Sequence, residues 1–550
     1  MRKDICLPAL FIVALPVFAA AESQPAAADP VIDKAIVQEN ALLAKLKTVT
    51  PVAETYIQEL QNDADFGTVP VKDHYYLGKI DLSHGLTQTS YLPKRDDGPG
   101  GFNLFARFLT IQYLPRGFAQ MMLLDGGTFD RDHYQFEFLR KEFLGDVRTL
   151  VYSVAPLKGV GAGHFVGDIW IEDQGNNIVR FNGTYNGTSS GRMYLHFDSW
   201  RINAGPGLWL PFESYSEESN LTDALKLHKA HFKAVTKFWG YGAPEDREGG
   251  EMTSLTVQSS DQVDDDAVKD DTPEDPSPVE SLHEWQRLSE ENVIDRLERA
   301  GLIAKRGGID KVLDTVINNI EVTNNLNLSP GVRARVLLTT PLETFTIGRT
   351  IVISRGMLDT LPDEASLAAI LTHELAHIAL GQGSQTDYAF SDRVKFDDAR
   401  ILTRFKLSRT PAEEEAANQK AVELLQNSPY KDKLGQAGLY LKALAAESPH
   451  LPALTRPLLG DRLIENHNIV RLAELMENAP QLQTERVDQI AALPLGSRTK
   501  LDPWTDDLEM VAMRPVPLDS AREKLPFELT PVYLHLTYQD ARAKEQVAAN

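Results

Sequence analysis

The chain has 550 residues, of which 42% are hydrophobic and 24% are charged, and its formal net charge is −22. This length suffices for two to four domains with cores of their own, and the composition is typical of a globular protein. The strong negative charge argues against nucleic acid and anionic membrane surfaces as partners, because both would repel the chain.

The N-terminus has the pattern of a secretory signal peptide. Two basic residues precede an apolar run from Ile5 to Phe18, and three alanines then offer a cleavage site after Ala21. We therefore expect residues 1–21 to be removed and the protein to be periplasmic or secreted. The single cysteine, Cys6, lies in this segment, so the mature chain must bind any metal through histidine and carboxylate side chains. No later apolar run reaches 18 residues, so we expect no membrane-spanning segment.

The next segment, residues 22–66, has helical periodicity, with one helix predicted at 31–47 and a second from Pro51. From 67 to 240 the pattern is mostly β, because short aromatic and β-branched runs alternate with Gly, Asn and Asp turn residues. Within this region 221–239 is predicted to be helical. The predicted strands are 148–154, 164–172, 177–185, 192–202 and 207–213. We expect one curved antiparallel sheet.

The series DIWIED, NIVRFNGTY, YLHFDSWRI and GLWLPFE resembles the curved sheets of lipoprotein-sorting proteins, the LolA-like lipid-binding fold. This resemblance implies an apolar face that could hold an acyl chain or a lipoprotein. An ordinary sheet core explains the same pattern equally well, so both interpretations stay open here.

Residues 241–278 form the clearest boundary in the chain. They are poor in large apolar side chains and rich in Asp, Glu, Ser and Pro, so burial cannot offset their chain entropy. We predict a disordered acidic linker here, followed by a domain at 279–492 and a C-terminal extension at 493–550. The expected fold class is therefore multidomain α+β.

The domain at 279–492 is predicted to be mostly α-helical. Its predicted helices are 282–303, 309–320, 361–380, 410–426, 433–446, 453–464 and 469–477, and its predicted strands are 332–339 and 344–353.

The third of these helices contains His373-Glu374-x-x-His377. Histidines four residues apart project from one face of a helix, so both imidazoles can bind one Zn²⁺ ion. Glu374 lies about 100° around the axis, where it can act as a general base without being a ligand. This motif arises by chance in about 2% of such chains. The alternative, two core histidines and a buried glutamate, lacks a nearby Lys or Arg to pair with Glu374.

Two stretches resemble peptidase family M48. Residues 350–383 are similar to its strand, turn and metal helix, and Glu414-Glu415-Ala416-Ala417-Asn418 is similar to its Glu-x-x-Ala-Asp pattern. The resemblance implies a zincin-type metallopeptidase domain with one Zn²⁺ per chain and Glu414 as the third ligand. Asn418 stands where the family usually has Asp, which steadies a zinc-ligating histidine, and a neutral amide would do so more weakly.

Helix geometry selects the same glutamate among three in succession. In a helix that begins near Thr410, Glu414 lies on the same face as Ala417, Ala421 and Leu425. This stripe of small and apolar residues could pack against the metal helix. The stripes of Glu413 and Glu415 instead contain Lys420 and Gln419.

The sequence therefore predicts an exported soluble zinc endopeptidase that cleaves proteins or peptides, with envelope protein quality control as one role. The strand 344–353 could present an edge to an extended substrate. Two alternatives stay open. One is a low-turnover, chaperone-like protein that keeps the metallopeptidase fold, which Asn418 favours. The other is a lipid- or lipoprotein-binding protein whose β domain carries the function.

Overall fold

The structure is a computed structural model that describes residues 29–64, 67–93, 113–187, 194–222, 229–242, 277–382, 386–466, 468–496, 498–511 and 516–539. The predicted signal peptide lies outside these residues, and so does the predicted acidic linker except for its ends. Within these ranges no helix combines the length and the apolar character that crossing a membrane requires.

A ten-stranded antiparallel sheet forms the N-terminal region. Its strands, β1 to β10, are Val52–Asp63, Gly67–Asp81, Thr87–Ser90, Tyr134–Leu144, Val147–Pro156, Phe165–Glu172, Ile178–Tyr185, Phe197–Gly205, Leu208–Thr222 and Lys229–Trp239. Strands β4 to β10 form a meander, and β1 continues the sheet beyond β10, so the order is β3-β2-β1-β10-β9-β8-β7-β6-β5-β4. The predicted antiparallel sheet and its five predicted strands are confirmed.

Two helices predicted in this region are wrong, because the helix from residue 51 is β1 and most of the helix at 221–239 is β10. In β1, Val52 and Tyr56 lie on one face, Ala53 and Ile57 lie on the other, and all four are buried. A strand that is covered on both faces has apolar residues at odd and at even positions. Its sequence therefore lacks the alternation of a half-buried strand and can resemble the periodicity of a helix. The sheet therefore begins at residue 52, inside the segment that the sequence assigns to helices.

Helix α1, Pro30–Leu46, covers one face of the sheet. Its Ile32 lies in a buried cluster with Ile57 and Phe181. On the same helix, Glu39 forms a bidentate ion pair with Arg201 at 2.6 and 2.8 Å, and both side chains are at most 2% exposed. Sheet side chains on this face thus pack against the chain's own helix, and lipid binding stays a prediction.

The C-terminal region is mostly helical, as predicted, and its small sheet has the order β11-β13-β12. Helix α2, Pro115–Gln120, lies in the N-terminal region between β3 and β4. Helices α3 to α10 of the C-terminal region are Pro278–Arg299, Gly308–Thr323, Arg355–Thr360, Glu364–Ala379, Ile401–Arg404, Pro411–Gln426, Leu434–Glu447 and Ala473–Glu477. Strands β11 to β17 are Arg333–Leu337, Thr344–Ile347, Thr350–Ser354, Ile464–Glu465, Asn468–Ile469, Thr499–Leu501 and Leu508–Met510. The predicted strand 344–353 is in fact a hairpin that turns at Gly348, whose φ is +57°.

The predicted helix at 453–464 is an irregular segment, and distant carboxylates explain it. The backbone N–H groups of residues 458–460 all donate to Glu343 Oε2 at 2.9–3.1 Å. Those of residues 453 and 454 donate to Asp73 of β2 at 2.7 Å. Carboxylates from distant elements therefore satisfy these donors in place of helical carbonyls.

One buried hydrophobic cluster spans the two regions. Val52 and Trp239 of the large sheet belong to the same buried hydrophobic cluster as the apolar residues of the helical region. Beside them Glu54 accepts hydrogen bonds from Thr340 N at 2.6 Å and Thr340 Oγ1 at 2.9 Å, and it forms an ion pair with Arg355. The interface is therefore buried and specific.

The C-terminal extension, which has no predicted role, connects the two regions. Gln58 of β1 donates to Phe527 O and accepts from Leu529 N, both at 2.8 Å. Earlier in the extension, the backbone N–H groups of residues 498 and 499 donate to Asp359 of α5 at 3.2 and 3.0 Å. Because Gln58 alternates with Ile57, the extension lies on the face opposite α1.

We expect the Glu54→Ala variant to lose about 3–5 kcal/mol of unfolding free energy, because Arg355 would stay buried without its counter-ion. Arg355 is only 2% exposed. Equilibrium urea unfolding followed by circular dichroism measures this loss. The matched control is Glu284→Ala, which breaks the exposed pair with Arg287 on α3 and should leave the unfolding midpoint nearly unchanged. Similar midpoints for both variants would contradict the assignment.

Candidate metal centre

Helix α6, Glu364–Ala379, carries the predicted metal motif in the interior of the C-terminal region. Its N-cap is Asp363, whose Oδ1 accepts from Ser366 N at 2.8 Å. Every residue from 365 to 378 is buried. An Ala- and Leu-rich sequence favours this helix, and burial on all sides holds the two histidines in a fixed environment.

Three side chains from two helices converge at this motif. His373 Nε2 and His377 Nε2 are 3.2 Å apart. Glu414 of α8 places Oε2 at 3.3 Å from His373 Nε2 and Oε1 at 3.4 Å from His377 Nε2. The three ligand atoms form a group within 4.8 Å of one another. Two imidazole nitrogens and one carboxylate are a common protein donor set of catalytic zinc sites, so the residues present fit Zn²⁺.

The structure distinguishes the three consecutive glutamates. Glu413 closes the capping box of α8, accepting from Thr410 N at 2.8 Å. Glu415 is exposed and accepts from Gln419 Nε2 at 2.8 Å. Glu414 is the one that faces the histidines, which agrees with the stripe predicted from helix geometry.

Arg471, which the sequence analysis missed, contacts both acidic groups of the site. Its Nη1 donates to Glu374 Oε1 at 2.9 Å, and its Nε and Nη2 donate to the two oxygens of Glu414 at 3.0 and 3.1 Å. Thr344 Oγ1 also donates to Glu374 Oε1, at 2.8 Å. Arg471 lies 97 residues after Glu374, so local sequence cannot reveal this partner. The only available signal is a lone arginine within an apolar stretch.

These contacts determine the charge state of the site. Burial raises the pKa of Glu374, but the charge of Arg471 and the two imidazoles outweighs burial, and the pKa is lowered overall. Burial likewise raises the pKa of Glu414, and hydrogen bonds to His373 and His377 lower it far more. Both carboxylates are therefore ionised at neutral pH. Burial lowers the pKa of His373, which favours the neutral imidazole that binds metals.

Residues 313–390 match the sequence profile of peptidase family M48. The C-terminal region contains an M48 peptidase domain. The match begins in α4, spans the small sheet and both histidines of α6, and ends before Glu414. No curated protein matches the chain. The M48 resemblance is thus confirmed, whereas the lipoprotein-sorting resemblance stays a prediction.

The second nitrogens of the two histidines in the M48 domain have different environments. His377 Nδ1 lies 2.8 Å from Gln382 Oε1, which orients its ring. His373 Nδ1 is buried and has no hydrogen-bond partner among the residues that the structure describes. Gln382 is only five positions after His377, at the end of the helix, so its role could have been inferred from the sequence.

Asn418 contacts neither histidine, contrary to the prediction that it steadies a zinc-ligating histidine. Its Nδ2 donates to Val470 O at 3.0 Å, and its Oδ1 accepts from Leu472 N at 2.8 Å. These two backbone groups flank Arg471. Asn418 therefore holds the segment that places Arg471 between the two carboxylates.

Strand β12 lies at the edge of the small sheet, next to α6. Its outward carbonyls are already contacted, because Thr346 O accepts from Arg409 Nη2 at 3.3 Å and Thr344 O lies 3.5 Å from Arg471 Nη1. A Cβ atom at Gly460 would lie 2.6 Å from Thr344 O, so the loop at 460 also passes close to this edge. An extended substrate would have to replace these contacts to pair with β12.

A cavity of about 10 Å³ lies beside His373. Its walls include His373, Glu343, Thr344, Asp461 and Arg471. The Glu343 side chain is buried, and burial raises its pKa to about 7 although three backbone N–H groups act in the opposite direction.

Proposed function

We propose that this protein is a zinc-dependent endopeptidase that hydrolyses peptide bonds of protein or peptide substrates. The observation that carries the proposal is the convergence of His373, His377 and Glu414, with Glu374 beside them, in an M48 domain. The donor set suits one Zn²⁺ per chain. The family supports proteolysis, and the buried, ionised Glu374 supplies the base that hydrolysis needs.

The chain's own residues have separate roles in this reaction. A bound zinc ion would polarise the scissile carbonyl and acidify a water molecule. Glu374 accepts the proton of the attacking water and passes it to the leaving amine. Thr344 and Arg471 hold Glu374 Oε1, so the base stays oriented in the buried site. Arg471 also holds Glu414, which links the position of the base to that of the third ligand.

We propose that substrate binds as an extended strand along β12, since this strand is the sheet edge nearest to Glu374. Arg409 and Arg471 would release the carbonyls of Thr346 and Thr344 as the substrate pairs. The signal-peptide pattern supports export to the periplasm or the medium, where the cleaved proteins would be envelope or secreted proteins.

Two observations favour the low-turnover alternative. The cavity next to His373 measures about 10 Å³, and Arg471 is paired with both carboxylates of the site. A site that stays in this arrangement leaves little room for a peptide beside His373, so it would cleave substrates slowly.

Zinc analysis combined with casein cleavage tests the proposal. We expect about one zinc per purified chain. We also expect casein cleavage that stops when a chelator removes the metal and returns when zinc is restored. Full zinc content without cleavage would support the low-turnover alternative. Failure to bind zinc would overturn the proposed function, and lipid detected by native mass spectrometry in a zinc-free protein would favour the lipid-binding alternative.

A further inference from the structure

Two residues that line one cavity of the C-terminal region each have a buried polar atom without a hydrogen-bond partner among the described residues. These atoms are His373 Nδ1 and Glu343 Oε1. Leaving such an atom unsatisfied costs about 1–3 kcal/mol, more if it is charged. A folded protein rarely leaves two such groups unsatisfied next to one cavity unless a water molecule or ion joins them.

The size and the chemistry of the cavity fit one water molecule. Its volume of about 10 Å³ is close to the space that a single water needs. An imidazole N–H is a donor and a carboxylate oxygen is an acceptor, so a water between them accepts one hydrogen bond and donates another. The polar groups of Asp461 and Arg471, which also line the cavity, offer further partners.

We propose that one buried water accepts a hydrogen bond from His373 Nδ1–H and donates one to Glu343 Oε1. Glu343 is then a positioning residue for the metal centre. It is not itself a metal ligand, and it orients His373 through the bridging water. This inference rests on the proposed function, because it concerns how the chain prepares His373 for the metal.

Glu343 is well suited to this task because its carboxylate is immobilised. Its Oε2 accepts from three successive backbone N–H groups, at residues 458–460, and its own backbone N–H donates to Ser354 Oγ at 3.2 Å. Oε1 therefore has a fixed position. Glu343 also immediately precedes β12, so the same residue links the substrate edge to the metal helix.

The water bridge would give His373 Nδ1 a hydrogen-bond partner, as Gln382 does for His377 Nδ1. A partner on Nδ1 fixes the tautomer with a free Nε2 and orients the ring, and a carboxylate at the end of the bridge makes the imidazole a better ligand. The two histidines would thus be held in different ways, one by a direct amide contact and the other through water to a carboxylate.

The test compares the zinc affinity of full-length variants by competition with a fluorescent chelator. Glu343→Gln keeps an acceptor for residues 458–460 but places an uncharged amide in the cavity, so we expect affinity to fall by about 10–100-fold. The matched control is Asp310→Asn. Asp310 is also buried, accepts one backbone N–H from Gly307 and has a second oxygen without a partner among the described residues. We expect this control to retain wild-type affinity.

A crystal structure of the zinc-loaded wild-type protein provides the second measurement. It tests for the bridging water directly, even if the Glu343→Gln variant does not fold. We expect an ordered water within hydrogen-bond distance of His373 Nδ1 and Glu343 Oε1. Wild-type affinity in a folded Glu343→Gln variant, or a cavity without this water, would overturn the inference. A wild-type protein that binds no zinc would instead reject the proposed function itself, so the two failures are distinct.

Discussion

The Glu374→Gln variant is expected to keep about one zinc per chain and to lose casein cleavage by about 10²–10⁴-fold. A glutamine carbonyl can still accept the hydrogen bonds of Thr344 and Arg471, so the local structure should survive. It cannot accept a proton from water at neutral pH, because an amide is a very weak base. Zinc content and initial rates of cleavage measure the two effects separately.

The control for this variant lies on the same helix. Glu364 of α6 accepts from Tyr430 Oη at 2.7 Å, in the first turn of the helix, and Glu364→Gln should retain both zinc and activity. Loss of zinc on changing Glu374 would mean that this residue is a ligand. Unchanged cleavage would mean that another group accepts the proton.

The Glu414→Ala variant is expected to lose both zinc and activity. Two imidazoles alone make a weak zinc site, so affinity should fall by more than the roughly 10–100-fold cost of losing an outer hydrogen-bond partner. Arg471 would also lose one of its three carboxylate partners, which are Glu374, Glu414 and, at 3.9 Å, Asp461. Chelator competition measures the affinity, and circular dichroism verifies that the fold is kept.

The neighbouring glutamates are matched controls for this experiment. Glu413→Ala removes the N3 carboxylate of the capping box and should cost about 0.3–1.5 kcal/mol of stability without changing zinc affinity. Glu415→Ala removes an exposed side chain and should change neither the stability nor the zinc affinity. Full zinc retention in Glu414→Ala, together with loss in either neighbour, would transfer the ligand role to that neighbour.

Much of the site could be predicted from the sequence because its central geometry is local. His373 and His377 are one helical turn apart, and a helix places such residues on one face whatever surrounds it. Glu414 could be selected in the same way, from the small and apolar residues on its stripe. The strands between 147 and 222 could be predicted because alternation and turn residues are also local properties.

Packing between distant segments decided the elements whose predictions from the sequence were wrong. Strand β1 has apolar residues on both faces because α1 covers one face and the helical region covers the other, and no local pattern contains that information. For the same reason the segment at 453–464 is irregular, since Asp73 and Glu343 bind its N–H groups from afar.

Within the site, Arg471 and Asn418 show the same difference between what the sequence determines and what the tertiary structure determines. The sequence alone determined which side chains share a face of α6 and of α8, because periodicity is a property of the backbone. Only the tertiary structure decided that Arg471 would pair with Glu374 and Glu414, and that Asn418 would hold the backbone on both sides of it. The physical reason is that a buried charge takes whichever counter-charge the fold brings within reach, and separation along the chain does not limit that choice.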